Sequence, residues 1–417
     1  MRILKKVILF ISVLIAASCI DPYYPDITDY KSLLVVAGQL TNENKATEIR
    51  LSRTFQDAGV LPELVDDATV SILDQEEGFT MLRNIGNGRY KTDSTLFTAK
   101  TGHKYSLVII TADGKEYHSD ECVMLPVAGI DSLYFEDGEE VSGVSGELHQ
   151  GLKVLLNTSG TEGMSEYYRW SFEEVWKVEM PFPQQYTYSY VSPLSVNFTP
   201  LPVFANVCWK RKLSSSININ SNIKGGSGKS LKQEINFIAS MKSDRLTDEY
   251  SILVKQYSIS KREFEFWNNL KNVGEPDADI FSSQPYAVVG NVFNINDPDE
   301  LVLGYFGVSS VKQKRIFITA EELDKHKLPH YVTECEEIRK SPEDFPSIPP
   351  PTWDEIYHGY TDLHDYIFVK PEVIEGTVIA GNIDISSLVK LVFTTRECAV
   401  CEDQGYVTEP DFWIEKN

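Results

Sequence analysis

Residues 104–117 read Lys-Tyr-Ser-Leu-Val-Ile-Ile-Thr-Ala-Asp-Gly-Lys-Glu-Tyr. Tyr105, Leu107 and Ile109 recur at every second position, the period of a strand with one buried face. Ala112-Asp113-Gly114-Lys115 then forms a tight polar turn that sends the chain back through Tyr117, so the stretch is a β-hairpin. The same alternation appears upstream. Ile49, Leu51 and Phe55 alternate with Glu48, Arg50, Ser52 and Thr54, and Ala68, Val70 and Ile72 repeat the pattern. Ser32 to Leu40 is an apolar run of strand length, and Asn87-Gly88 turns into Arg89-Tyr90. Short strands with turns between them predict an antiparallel β-sandwich over residues 33–126, immunoglobulin-like or transthyretin-like.

Residues 127–417 predict a larger β-rich domain with one or two helices, so the fold class is mainly β. Tyr168, Trp170 and Phe172 alternate, as do Trp176, Val178 and Met180, and Glu249 to Ile259 is a strong strand. Further strands are expected at 286–292, 301–308, 314–319 and 388–394. The clearest helix covers 260–273: Ser260 caps it, Glu263 follows three residues on, and Phe264, Trp267 and Leu270 make an apolar stripe. Thr319 with Glu322 repeats the box for a shorter helix. Two proline-rich stretches, 181–205 and 341–366, read as long irregular loops. Their aromatics, Tyr186, Tyr188, Tyr190 and Phe198 in the first and Trp353, Tyr357 and Tyr360 in the second, are candidate contacts for a partner or ligand. The alternative is that these loops fold back over the sheets.

The N-terminus gives an address. Arg2, Lys5 and Lys6 precede the apolar run Val7 to Ile15, and Ala16-Ala17-Ser18-Cys19 follows. Nine apolar residues rise too little to cross a ~30 Å hydrocarbon core, so residues 1–18 read as a signal peptide. Small residues before a cysteine resemble the bacterial lipobox, which makes Cys19 the lipidated first residue of the mature chain; Ala16 stands where a leucine is usual. Residues 19–32, with Asp21, Asp26 and Asp29, read as an acidic tether; an acid close behind the cysteine resembles the surface-export signals of Bacteroidota lipoproteins, and the alternative is simple solubility of a linker. Overall the chain has 417 residues, with 39 Lys and Arg against 61 Asp and Glu, a net charge of -22. Such an acidic chain lacks the basic field of a nucleic-acid binder.

Motifs for chemistry are sparse. Cys122, Cys208, Cys335, Cys398 and Cys401 remain after Cys19, and export favours disulfides among them with one left over. Cys398-x-x-Cys401 is also compatible with a redox motif or half a zinc site; Cys335 is a partner for one of the pair, and Cys208 is a further candidate. Gly225-Gly226-Ser227-Gly228-Lys229-Ser230 resembles a P-loop, but Ile223 stands where the first glycine belongs, so it reads as a hairpin loop. His326 and His330 are separated by Pro329, which breaks any shared helix. His358 and His364 lie near Asp354, Glu355, Asp362 and Asp365, a grouping that reads as a solvated loop rather than a metal site. There is no H-E-x-x-H and no G-x-S-x-G in the chain. No catalytic residue, metal or cofactor is expected.

Several segments together resemble one family. They are the lipobox, Leu34-Val35-Val36 with Gly38, Leu51-Ser52-Arg53-Thr54, Ile130-Asp131-Ser132-Leu133-Tyr134, Val254-Lys255-Gln256-Tyr257-Ser258, Glu265-Phe266-Trp267, Leu303-Gly304-Tyr305-Phe306 and the closing Cys398-Ala399-Val400-Cys401. The chain is identified as a member of the Bacteroidota lipoprotein family called domain of unknown function forty-two forty-nine. Members are commonly encoded beside SusC-type TonB-dependent receptors. The resemblance therefore implies a non-catalytic surface lipoprotein of the outer membrane, docked on a β-barrel as an accessory to nutrient capture. Two alternatives are an accessory subunit of the barrel-assembly machinery and a surface glycan or peptide hydrolase.

Overall fold

The computed structural model describes residues 32–413, apart from 56–60, 143–145, 160–163, 202–205, 222–229, 275–287, 333, 378, 380, 402–404, 406 and 407. The hairpin at 104–119 forms as its alternation dictates. Lys104–Ile110 buries Tyr105, Leu107 and Ile109 completely, and it pairs with Glu116–Ser119. Thr69–Asp74 and Gly78–Met81 extend this sheet on one side, and Val292–Asn294 closes it on the other. An opposed sheet contains Leu34–Thr41, Glu48–Arg53 and Arg89–Lys91. Leu34, Val36, Leu40, Ile49 and Leu51 fill the space between the sheets, each worth about 1.5–3 kcal/mol in burial.

The first sandwich is not confined to residues 33–126. Leu303–Ser309 lies parallel to Leu34–Thr41 and edges one sheet, while Val292–Asn294 edges the other. Val292, Val302, Phe306 and Val308 belong to its core. Tyr117 donates to Glu300 at 2.9 Å, and Lys115 pairs with the same carboxylate, which pins the returning segment. A parallel partner from so far along the chain leaves no trace in local periodicity, so the expected boundary is corrected here.

Gly304 makes this pairing possible. Its φ of +89° lies in the left-handed region, and a β-carbon there would run into the Val36 carbonyl oxygen. Gly304→Ala is therefore expected to lower stability by roughly 2–4 kcal/mol, combining backbone strain with overpacking. Thermal unfolding of the variant against the parent checks this.

Ser310 passes the chain straight into a second sandwich. Val311–Ile318 joins a sheet with Tyr250–Ile259, Tyr167–Glu179 and Val207–Leu213. Gly129–Val141, Leu148–Ser159 and Ser230–Ala239 form the opposed sheet. Trp170, Phe172, Ile252 and Val254 face Leu152, Val154 and Ile238 across the core. The helix expected at 260–273 is observed at Lys261–Gly274, wedged between the sandwiches: Phe266 packs on Tyr305 of the first and Phe264 on Tyr167 of the second.

The two stretches read as irregular loops are largely structured. Residues 186–192 and 195–200 form a hairpin that leaves the second sandwich and pairs with Gly381–Asp384. Trp353–Thr361 is a helix, started by the Thr352 and Glu355 capping box. With Tyr366–Val373, Leu388–Thr395 and Ile338–Lys340 they build a third, C-terminal unit around Phe198, Phe368, Leu391 and Phe393. The prolines mislead because they flank the strands: Pro193 sits in the hairpin turn and Pro200 ends a strand. Four α-helical segments occur among the described residues, Lys261–Gly274, Ala320–His326, Trp353–Thr361 and Arg396–Ala399, where one or two were expected.

Candidate functional site

Where the two sandwiches and the long helix meet, a cleft of about 620 Å³ opens, within the range of small-molecule sites. One wall is Val35–Gln39 with Gly304 and Tyr305; the other is Phe266, Trp267 and Leu270. Arg169 reaches into it from Tyr167–Glu179. Strand alternation explains this, because Tyr168 and Trp170 point into the core and Arg169 points the other way. Its guanidinium lies 4.5 Å from the Tyr257 ring and 4.8 Å from the Trp267 ring, a cation held by two aromatic faces. Its Nη2 donates to Gln39 Oε1 at 3.1 Å, and its enclosed Nε has no hydrogen-bond acceptor among the described residues.

At the rim, Glu48 is surrounded by Arg50, Arg89 and Lys91. Hydrogen bonds from Arg89 first, then from Arg50 and Lys91, outweigh burial and hold its carboxyl at about 2. Behind the cleft sits Glu263. Its backbone N–H donates to Ser260 Oγ at 3.1 Å, as the cap predicts, but its carboxyl turns inward and accepts from Trp267 Nε1 at 3.2 Å. Burial raises that carboxyl to about 7, against the pull of Arg169 and the indole N–H. Neighbouring Cys122 is the free thiol, pushed up to about 12 chiefly by burial; so protonated a thiol is a poor nucleophile.

The aromatic contact candidates are brought together, but mostly with one another. Tyr188 stacks on Tyr357 at 4.2 Å, Phe198 on Phe368, and Tyr360 on Phe393. Phe198 is fully buried, and Tyr186 and Trp353 pack against the same cluster. These side chains cover the sheets of the C-terminal unit, the alternative weighed above. Tyr190, at the hairpin tip, is 50% exposed beside exposed Val191 and Leu194. The acids and histidines of this unit are engaged locally: His358 Nδ1 is 2.9 Å from Asp362, Tyr188 donates to Asp354 at 3.1 Å, and Glu355 serves the Thr352 cap. Among the described residues, no three His, Cys, Asp or Glu side chains gather as a metal site. Cys19 and Gly225–Lys229 lie outside the described residues.

The cysteine pair resolves into two bridges. Cys398 joins Cys335, and Cys401 joins Cys208. The Cys-x-x-Cys turn is thus split between partners on different units, so in this oxidised form it is neither a dithiol redox pair nor half a zinc site. It ties the C-terminal unit to the second sandwich.

The family model described as Domain of unknown function (DUF4249) matches residues 20–315. The chain belongs to this family. No curated protein matches the chain. In this DUF4249 member the matched span takes in the first sandwich, the long helix, the whole wall of the cleft and the second sandwich as far as the middle of Val311–Ile318, and it stops before the strands at 338–395. Four of the segments that carry the resemblance, 34–38, 254–258, 265–267 and 303–306, converge on this junction. Arg169 belongs to none of them. Strand parity places it on the outward face, yet nothing in its neighbourhood of the sequence signals a cleft, since the walls come from distant segments.

Proposed function

We propose that this protein is a non-catalytic lipoprotein of the outer-membrane surface, anchored through Cys19, that docks on an outer-membrane β-barrel as an accessory to a SusC-type TonB-dependent transporter. Two observations support export and contact. Four cysteines form two bridges, the pattern of an oxidising compartment. The sheet of the first sandwich that contains Lys104–Ile110 carries apolar side chains on its outward face. Met81, Ser71, Val108, His118 and Phe293 form one row across neighbouring strands, in which Ser71 and Val108 are buried and Met81 and Phe293 are exposed, with exposed Phe79 and Ile110 beside it. Phe79 is 65% exposed and Met81 58%, whereas such a face is ordinarily polar.

The anchor explains the location of this face. From Cys19 to the first described residue the chain can extend about 45 Å at most, at ~3.5 Å per residue. The first sandwich is therefore held close to the membrane, within reach of a barrel's outer loops, and an apolar face there contacts the barrel. Affinity purification in mild detergent through a C-terminal tag tests the reading. A SusC-type barrel should co-purify in equal amount, and Phe79→Glu with Met81→Glu should abolish it. Recovery of barrel-assembly components instead would transfer the protein to outer-membrane biogenesis. Recovery of the protein alone would overturn docking and direct work to hydrolase assays.

A further inference from the structure

We infer that the junction cleft binds an organic carboxylate with an apolar body, and that Arg169 is the group that holds its charge. Among the described residues Gln39 is the one hydrogen-bond acceptor of Arg169, and the acid acting on it, the enclosed Glu263, accepts from Trp267 rather than from the guanidinium. A guanidinium has five N–H donors, so most of its capacity is unspent. Its place is fixed by Tyr257 and Trp267, which hold a cation by ring faces; Nε is enclosed and one Nη2 proton goes to Gln39, which leaves the Nη1–Nη2 end of the fork for a ligand. A planar fork of this kind matches a carboxylate in two parallel hydrogen bonds.

The surroundings select the same chemistry. The single acid on the cleft wall, Glu48, is already shared by three cations. Arg50 and Arg169 therefore leave the cleft electropositive, up to about pH 7 while burial keeps Glu263 behind it protonated, on a chain whose net charge is -22. Such a field concentrates anions locally while the rest of the surface repels them. Beyond Arg169 the walls include Val35, Ala37, Phe266 and Leu270, which suits an apolar body. This assignment does not rest on the barrel partner: the cleft is lined by the sheet of Leu34–Thr41, whereas the apolar face belongs to the sheet of Lys104–Ile110.

The test is calorimetric titration of the full lipoprotein in detergent with N-acetylphenylalanine and with its amide, which differ by one charge. The acid should bind at least tenfold more tightly than the amide. Arg169→Gln should bring the two affinities together. Leu270→Trp, which fills the cleft and leaves Arg169 in place, should weaken both by tenfold or more, so the proposal stays testable if Arg169→Gln fails to fold. Equal affinities for acid and amide, no binding of either, or binding unchanged by Leu270→Trp would each overturn it. A failure here leaves the purification result standing, and a failed purification leaves this one standing.

Discussion

Replacing Glu263 by glutamine is expected to stabilise the protein at pH 8 by about 3 kcal/mol while changing little below pH 4.5. The carboxyl is fully enclosed at the start of the long helix and keeps its proton up to about 7 when folded. The unfolded chain releases that proton near 4.5. Between these values the folded protein binds more protons than the unfolded one, so the stabilisation present below pH 4.5 is lost as pH rises to about 7. A displacement of about 2.5 pH units corresponds to about 3 kcal/mol at 1.36 kcal/mol per unit. Glutamine keeps an acceptor for Trp267 Nε1 and has no charge to bury. Thermal unfolding at pH 4.5, 6 and 8 decides the matter. The parent should lose stability across the series by more than Glu263→Gln does, and parallel curves would refute the assignment.

The second large effect is expected from the bridges. Cys208–Cys401 spans 193 residues and Cys335–Cys398 spans 63. In the chain-entropy account, closing loops of these lengths is worth about 5 and about 4 kcal/mol. Cys208 and Cys401 are also buried with Met180 in a small apolar cluster, so Cys208→Ala with Cys401→Ala adds a packing defect. That pair of substitutions should release the C-terminal unit first. Limited proteolysis should cut near 181–185, where the chain leaves the second sandwich for the hairpin, many times faster than in the parent. Cys335→Ala with Cys398→Ala should loosen the C-terminal unit internally with a smaller effect. Equal cleavage rates in all three proteins would contradict the stapling role.

What the sequence discloses follows the range of the interaction. The hairpin at 104–119, the long strand at 250–259 and the helix after Ser260 depend on neighbours a few residues apart, and all three are legible. Tyr186, Tyr188 and Tyr190 also alternate, and Thr352-x-x-Glu355 is a capping box. Both signals stand in the proline-rich stretches and point to the hairpin and helix found there, but proline density dominates a window-based reading. The parallel strand at 303–309 and the junction cleft are of another kind. Arg169, Trp267, Tyr257 and Gln39 come from four elements that only the assembled fold brings together. Cys335 as a partner for the Cys-x-x-Cys turn was legible because so few cysteines are available; the sharing of that turn between two bridges was not.

The bridge between Cys335 and Cys398 lies wholly inside the loop closed by Cys208 and Cys401. On the export route proposed above, a chain emerging N-terminus first presents Cys122 and Cys208 together, long before Cys401 arrives. An oxidant that joins thiols in order of appearance would couple these two, then Cys335 to Cys398, and strand Cys401. The native pattern is nested, not consecutive, and Cys122 must stay reduced while its neighbour waits. If export proceeds as proposed, maturation is expected to need thiol exchange that can undo an early mispairing. A host compartment that oxidises without reshuffling would deliver a chain whose last turn is untethered.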